Sequence, residues 1–568
     1  MIEPTRAGST TAIALALASM LASPAASGDA DVQHTIGEIA AALRASRHPE
    51  PGALPDNSAA ALRSRHETED RLHERLLTLE EAQLQPADAI AFEALRATVE
   101  AEQAVRVCRR ELWNVDHING WHIQLGAWAE RQPVDSPAAR SRALAQWKQV
   151  RGFIQRETAL LRDGLELGYS APQSVVERVV RQLDGQLESV AASSLASPAQ
   201  RTDDAKFVRE QQLILKKDVL PELRRYRDFL RNEYMRKARS SIGVSSLPHG
   251  QDCYRALLRR ETSLDSSPRE IFERGQKMIE ENRAAIVELG AAQFGTRDVE
   301  QIMARLQADP ANRFDSPEAV LQFTREVTER AREASQNLFI EYPRAPLEVV
   351  PFPTYQRDSG MNPYYSPARA AEPARYLVNL QTWRDNARSQ VEVTSVHEAW
   401  PGHHVQISLA QSLPYGDELL SIARFPAYIE GWARYAERLA DEFGMYSTAH
   451  ARILWRAKPG FGMVVDPGLH AFDWPRERAV EFLMSSGLFP SAQSVNDMID
   501  RIAVMPAQLT AYDTGGSEIL ALRELARERL GEKFDLREFH AQILRLGYAP
   551  LGTVRKLTLQ WIERLEQP

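Results

Sequence analysis

The segment Val396-His-Glu-Ala-Trp-Pro-Gly-His-His-Val-Gln406 places three of the chain's 13 histidines within eight residues, with a carboxylate beside the first. Neutral imidazole is a good zinc ligand, and zinc lowers the pKa of its water to ~7. A glutamate next to a ligand histidine can take that water's proton and pass it to a leaving amine. The residue types therefore predict metal-assisted hydrolysis, with zinc as the cofactor and Glu398 as general acid/base.

In the His-Glu-x-x-His helix, a spacing of four sets both imidazoles on one face. Here His397 and His403 are six apart, and His397 and His404 seven. On a straight helix of ~100° per residue, six steps leave the second ring well off the first. Seven steps restore the face but add ~10.5 Å of rise. Pro401 has no N–H to give the carbonyl of His397, and Gly402 adds freedom beside it, so the helix cannot run straight. A two-residue bulge at Trp400-Pro401 brings His403 to the second ligand position. His404 is the alternative ligand and otherwise a catalytic candidate.

A third ligand is expected from a downstream helix, and Glu430 in Phe425-Pro-Ala-Tyr-Ile-Glu-Gly-Trp-Ala-Arg-Tyr-Ala-Glu437 is the best candidate. Glu437, seven residues on and near the same face, can support a ligand histidine or pair with Arg434. Three further stretches carry polar residues in apolar surroundings. Asp466 and His470 are read as lying in a loop. Tyr512 precedes Asp513-Thr-Gly-Gly516 and a helix with Arg523. His540 sits on a helix of its own. Tyr512 or His470 could donate to an oxyanion, and Arg523 could receive a peptide carboxylate.

The elements that must position these groups are mostly helical. Charged and apolar residues alternate at three- and four-residue spacings over 71–81, 87–112, 141–161, 173–190 and 202–237, with Pro221 set to kink or end the last. Ser316 can cap a helix opened by Pro317, with Val320, Thr324, Val327 and Ala331 on one face. Leu347-Glu-Val-Val-Pro351 and Arg375-Tyr-Leu-Val-Asn-Leu380 are β-rich and predict a small sheet before the histidine segment. The expected class is all-α with that small β element. Turn formers over 240–250 suggest a helical scaffold lobe at 66–245 and a catalytic lobe at 246–568, after a linker at 27–65.

Composition agrees with a folded globular protein: 568 residues, 43% hydrophobic and 26% charged. A net charge of -8 leaves no footprint for nucleic acid. Only two cysteines occur, Cys108 and Cys253, too few for a disulfide framework or a cysteine-ligated zinc module. The uncharged run Thr10–Ala22 is too short to span a bilayer and ends in small residues, the pattern of a secretory signal peptide covering 1–26. No cysteine follows it to carry a lipid. A periplasmic or secreted protein is expected.

HEAWPGHHVQ, AYIEGWARYAE, MVVDPGLH, PAQLTAYDTGG and KFDLREFHAQILRLGYAPL, in this order, resemble the motifs of a bacterial family filed as domain of unknown function 885. Its members look like zinc-dependent peptidases distantly related to neurolysin-type oligopeptidases and carboxypeptidase Taq. The resemblance extends from about residue 70 onward. It implies an all-α scoop with a deep cleft and a metal at its floor, held by His397, His403 and Glu430, with Glu398 as acid/base and His404, His470, Tyr512 and His540 in the cleft. This chain departs from the pattern at Phe272, Phe461-Gly462, Ala507 and Leu509.

The expected activity is hydrolysis of short peptides. The competing readings are a helical peptide-binding protein without turnover and a metal hydrolase of a non-peptide amide or ester.

Overall fold

The computed structural model describes residues 24–47, 54–81, 84–188, 194–353, 362–369, 372–489 and 491–567. The molecule is predominantly helical, with a single three-stranded sheet among the described residues. The apolar run Thr10–Ala22 lies outside them. The stretch expected to be linker instead carries the helices Pro24–Arg47 and Ala59–Leu76. The reason is a stripe at i, i+3, i+4 and i+7: Ile36, Ile39, Ala40 and Leu43 are all buried in the largest core.

Local signals account for most other helices. Ser316 accepts from the backbone N–H of Ala319 at 3.1 Å and starts the helix Pro317–Ser335, whose Val320, Thr324, Val327 and Ala331 are buried. Pro221 does not end the helical run. It falls in the first turn of Leu220–Asn232, directly after a π turn at Leu215–Val219 that joins it to Ala205–Ile214. A wider turn tolerates the missing N–H.

Two large cores organise the helices. One joins residues 36–99 to the histidine segment and the C-terminal helices. The other joins residues 115–242 to residues 464–504. Each therefore draws on chain from both sides of the 240–250 stretch. Cys108 and Cys253 form a disulfide with their Cα atoms 4.7 Å apart, tying the end of one early helix to the start of a later one.

The sheet has the order β1-β3-β2, with β1 at Leu347–Pro351, β2 at Tyr364–Ser366 and β3 at Ala374–Val378. β1 runs parallel to β3, with Val349 opposite Tyr376; β2 runs antiparallel to it, with Tyr365 opposite Tyr376. β1 and β3 fall where the β-rich segments predict them. β2 closes the sheet on the side of the histidine segment.

Candidate metal centre

The histidine segment is two helices. The first, Arg388–Glu398, ends at Ala399, whose φ and ψ of -104° and -107° are not helical. The Trp400–Pro401 peptide is cis, and a second helix runs from His403 to Gln411. Pro401 cannot donate, so the ladder must break there. A Cβ on Gly402 would lie 1.9 Å from the His397 carbonyl oxygen, so the tight return of the chain requires glycine. The break leaves no loose ends. Trp432 Nε1 donates to the Pro401 carbonyl at 3.0 Å, and the His404 N–H donates to Ala399 at 3.2 Å. The predicted interruption is thus a four-residue break, and it brings His403, not His404, beside His397.

Glu430 stands on the helix Pro426–Glu442, which packs against Gln508–Leu530, the helix of Tyr512. Contact is backbone to backbone: a Cβ on Gly515 would fall 1.6 Å from the Ala427 carbonyl oxygen. Glu430 Oε2 lies 3.3 Å from His397 Nε2 and 3.6 Å from His403 Nε2, and one donor atom from each residue falls within 4.8 Å of the others. The two imidazoles meet edge to face, with ring centroids 4.8 Å apart. Donors at ~2.0–2.2 Å around a tetrahedral ion stand about 3.3–3.6 Å from one another. The two separations to Glu430 match that spacing, so two nitrogens and one carboxylate oxygen could hold a divalent cation such as zinc once the imidazoles draw together around it.

The surroundings point the same way. His397 Nδ1 donates to Glu437 Oε1 at 2.8 Å, which aims the Nε2 lone pair at the Glu430 carboxylate. Two acceptors facing each other need a proton or a cation between them. Burial works to lower the pKa of His397, but Glu430 and Glu437 outweigh it and hold the ring up to about 10. Burial likewise opposes ionisation of Glu437, yet Arg434 and His397 keep it at about 2. Glu430 is held well below the usual carboxylate range by the two histidines, again against burial. Behind Glu437, Arg434 Nη1 donates to it at 2.8 Å and Arg434 Nε lies 3.2 Å from Asp513 Oδ1. Asp513 Oδ2 in turn accepts from the Gly460 N–H at 2.9 Å. This chain of charges fixes the orientation of His397 from behind, as carboxylates do for metal-bound histidines.

Glu398 follows His397 directly. Its Oε2 accepts from the β2 N–H of Tyr365 at 2.9 Å, and burial pushes its carboxyl up while the two histidines pull it down. Tyr512 stacks on His397, with ring centroids 6.4 Å apart and 29° between planes. Its Oη accepts from Gln508 Nε2 at 3.1 Å, leaving its own proton free to be donated. Burial and then the charge of Glu430 push the phenol up, so it keeps that proton at neutral pH.

The other predicted cleft residues are elsewhere and occupied. His404 is buried, its Nε2 donating to the Ala345 carbonyl at 3.1 Å and its Nδ1 accepting from Tyr365 Oη at 3.2 Å. His470 lies on the helix Phe461–His470, not in a loop, and is fully buried. Its Nδ1 accepts from the Val244 N–H at 3.2 Å and its Nε2 donates to Ile502 at 3.1 Å. His540 donates to Leu338 at 2.8 Å and accepts from Tyr435 Oη at 2.9 Å. Arg523 is 2% exposed and forks onto Glu442 at 2.8 and 3.0 Å, so it has no face to offer a substrate. Asp466, on the His470 helix, accepts from Tyr254 Oη at 2.7 Å and from the Ala507 N–H at 2.9 Å.

Two contributors escape sequence reasoning. Tyr365 acts through its backbone N–H, for which residue type gives no signal. The Arg434–Asp513 pair carries one: charges inside two apolar motifs.

Among solved structures, the chain is similar to one from Colwellia psychrerythraea and one from Shewanella oneidensis, each described as a "putative lipoprotein", the second "of unknown function". The first has a TM-score of 0.81 at 20% identity and the second 0.73 at 17%; each match covers 94% of this chain and 99% of the other. These likenesses show a shared fold. No curated protein matches the chain. The signature of the bacterial proteins of unknown function designated DUF885 matches residues 39–557, which takes in both histidine helices, Glu430 and Tyr512. The chain belongs to that family.

Proposed function

We propose that the protein is a zinc-dependent peptidase that hydrolyses short peptides, with His397, His403 and Glu430 holding the ion and Glu398 as general acid/base. The observation that carries this reading is the convergence of those three side chains at 3.3 and 3.6 Å, with a carboxylate of raised pKa on the next residue. When bound, zinc supplies Lewis acidity that polarises a carbonyl and acidifies water.

The rest is the work of the chain. Tyr365 fixes Glu398 Oε2 and leaves Oε1 to take a proton and return it to the leaving nitrogen. Glu437 fixes the ring of His397. Tyr512 offers its phenolic proton to the oxygen on which charge develops. Side-chain exposures of 12, 9 and 22% for His397, His403 and Glu430 favour a short flexible substrate over a folded one. Kinship with neurolysin-type oligopeptidases belongs to the same proposal. So does export to the periplasm or beyond, supported by the disulfide, the leader-like run at Thr10–Ala22 and the lipoprotein descriptions of the structural neighbours.

The test is metal analysis of purified protein beside a panel of short peptides. We expect one zinc per chain, and Glu398→Gln should cut turnover by about 10²–10⁴-fold while keeping the metal. Protein without stoichiometric zinc, or a Glu398→Gln variant that cleaves at the wild-type rate, sinks the reading.

A further inference from the structure

Buried arginines in this molecule are matched either to carboxylates or, as at Arg239, to a row of backbone carbonyls. Arg434 pairs with Glu437 and Asp513, and Arg523 with Glu442. Arg501 is different. It is half-buried in the last turn of the helix Ala492–Val504, and among the described residues no carboxylate oxygen comes within 4.0 Å of it. Its guanidinium instead holds neutral groups. Nη2 donates to Gln508 Oε1 at 2.8 Å, and the side chain also reaches the hydroxyl of Tyr512. Gln508 passes the contact on, donating to Tyr512 Oη at 3.1 Å.

The position matters as much as the missing partner. Gln508 and Tyr512 are four residues apart on one helix and so share a face. Tyr512 stacks on His397. A continuous row, His397–Tyr512–Gln508–Arg501, therefore leads from the candidate metal site to a cation that feels Asp466 at longer range but has no carboxylate in contact. A guanidinium presents five donors in a planar fork suited to two parallel bonds with a carboxylate. Here Gln508 and the Tyr512 hydroxyl anchor the guanidinium, which orients the fork and leaves its remaining N–H groups for a ligand.

We propose that Arg501 binds a carboxylate of the peptide substrate while the scissile carbonyl lies at the metal. The inference rests on the peptidase reading and adds the substrate class: peptides bearing an anion at a fixed distance from the cleaved bond. That anion is either the free C-terminus or an acidic side chain.

The experiment uses the full chain loaded with zinc and carrying Glu398→Gln, so that binding is measured by calorimetry without turnover. The probes are tetra-alanine as the free acid, its C-terminal amide, and an amidated tetrapeptide with one glutamate. The free acid or the glutamate peptide should bind at least about tenfold more tightly than the alanine amide, as expected for a charge-assisted bidentate pair. Which of the two does so identifies the source of the carboxylate. Adding Arg501→Gln should erase the preference with zinc content and thermal midpoint unchanged, and Arg501→Lys should restore only part of it.

Equal binding of all three probes, or a preference that survives Arg501→Gln, overturns the subsite. The peptidase reading fails separately, by absent zinc or absent cleavage in the protein that retains Glu398. Should Arg501→Gln disturb folding, Gln508→Leu provides a second probe: it removes the anchor and should weaken the preference while the charge remains.

Discussion

Two sets of histidines lie in the interior of this protein, and they differ in what their nitrogens meet. His404, His470 and His540 each donate through one nitrogen and accept through the other, mostly with backbone groups, so each is a complete neutral hydrogen-bonding unit. Burial accordingly holds them low, at about 4, about 3 and about 4. His397 and His403 are incomplete as neutral rings. His397 turns its second nitrogen toward a carboxylate, and His403 Nδ1 is buried with no hydrogen-bond partner among the described residues. The lesson is that residue type and burial do not separate the two sets; whether a neutral ring can satisfy both of its nitrogens does.

The largest effects should come from the incomplete pair. His397→Ala or His403→Ala should reduce bound zinc from one equivalent to a small fraction, read by elemental analysis, with activity falling at least as far as in Glu398→Gln. In the metal-free protein His397→Ala should also lower stability, because it leaves Glu430 and Glu437 buried without that partner, whereas His403→Ala should cost less. If His404→Gln removed zinc instead, the comparison would be reversed.

A second break attacks the frame. Gly515→Ala puts a methyl group against the Ala427 carbonyl and forces the glutamate and tyrosine helices apart. Denaturant unfolding should show a loss of about 3 kcal/mol, the upper range for overpacking, together with weaker zinc binding. The complete set should respond the other way round. His540→Phe leaves Leu338 and Tyr435 without their partner and should cost about 1–3 kcal/mol while zinc stays at one equivalent.

The smallest effect is a slope. His404, His470 and His540 have folded-state pKa values below the ordinary 6.5. The stability each contributes is complete above pH 6.5 and is lost as pH falls through the folded value. Between pH 6.5 and 5 each histidine should subtract about 1.4 kcal/mol per pH unit. Asp466, pushed up by burial to about 7, works in the opposite direction, since its stabilising form is the protonated one. Unfolding measured across this window should flatten by one histidine's share in His540→Phe. An unchanged slope would mean that His540 is not held neutral.

Much of the candidate site is legible in the sequence. The ligand trio, the adjacent carboxylate and the Pro401-Gly402 interruption are signalled by short motifs whose chemistry is local. The alternatives offered for Glu437 both hold: it orients His397 and pairs with Arg434. The expected cleft residues that lie buried and hydrogen-bonded share a physical cause. His470, His540 and Arg523 sit in motifs as polar as the histidine segment, but the groups that fix them, Val244 and Ile502, Leu338 and Tyr435, and Glu442, lie 32 to 226 residues away, beyond the reach of spacing arguments. The helix Pro24–Arg47 is masked by its neighbourhood. Its apolar stripe is short, and the leader-like run before it makes the stretch resemble a linker.

The glycine contact between the glutamate and tyrosine helices has a bearing on engineering. With glycine at the closest point of the crossing, the backbone spacing of the helices that carry Glu430 and Tyr512 is set by main-chain atoms and not by the volume of a side chain. That side of the candidate metal site behaves as a fixed jaw. The opposite wall, where the short strand β2 reaches Glu398 through one amide, is the jaw that redesign can move.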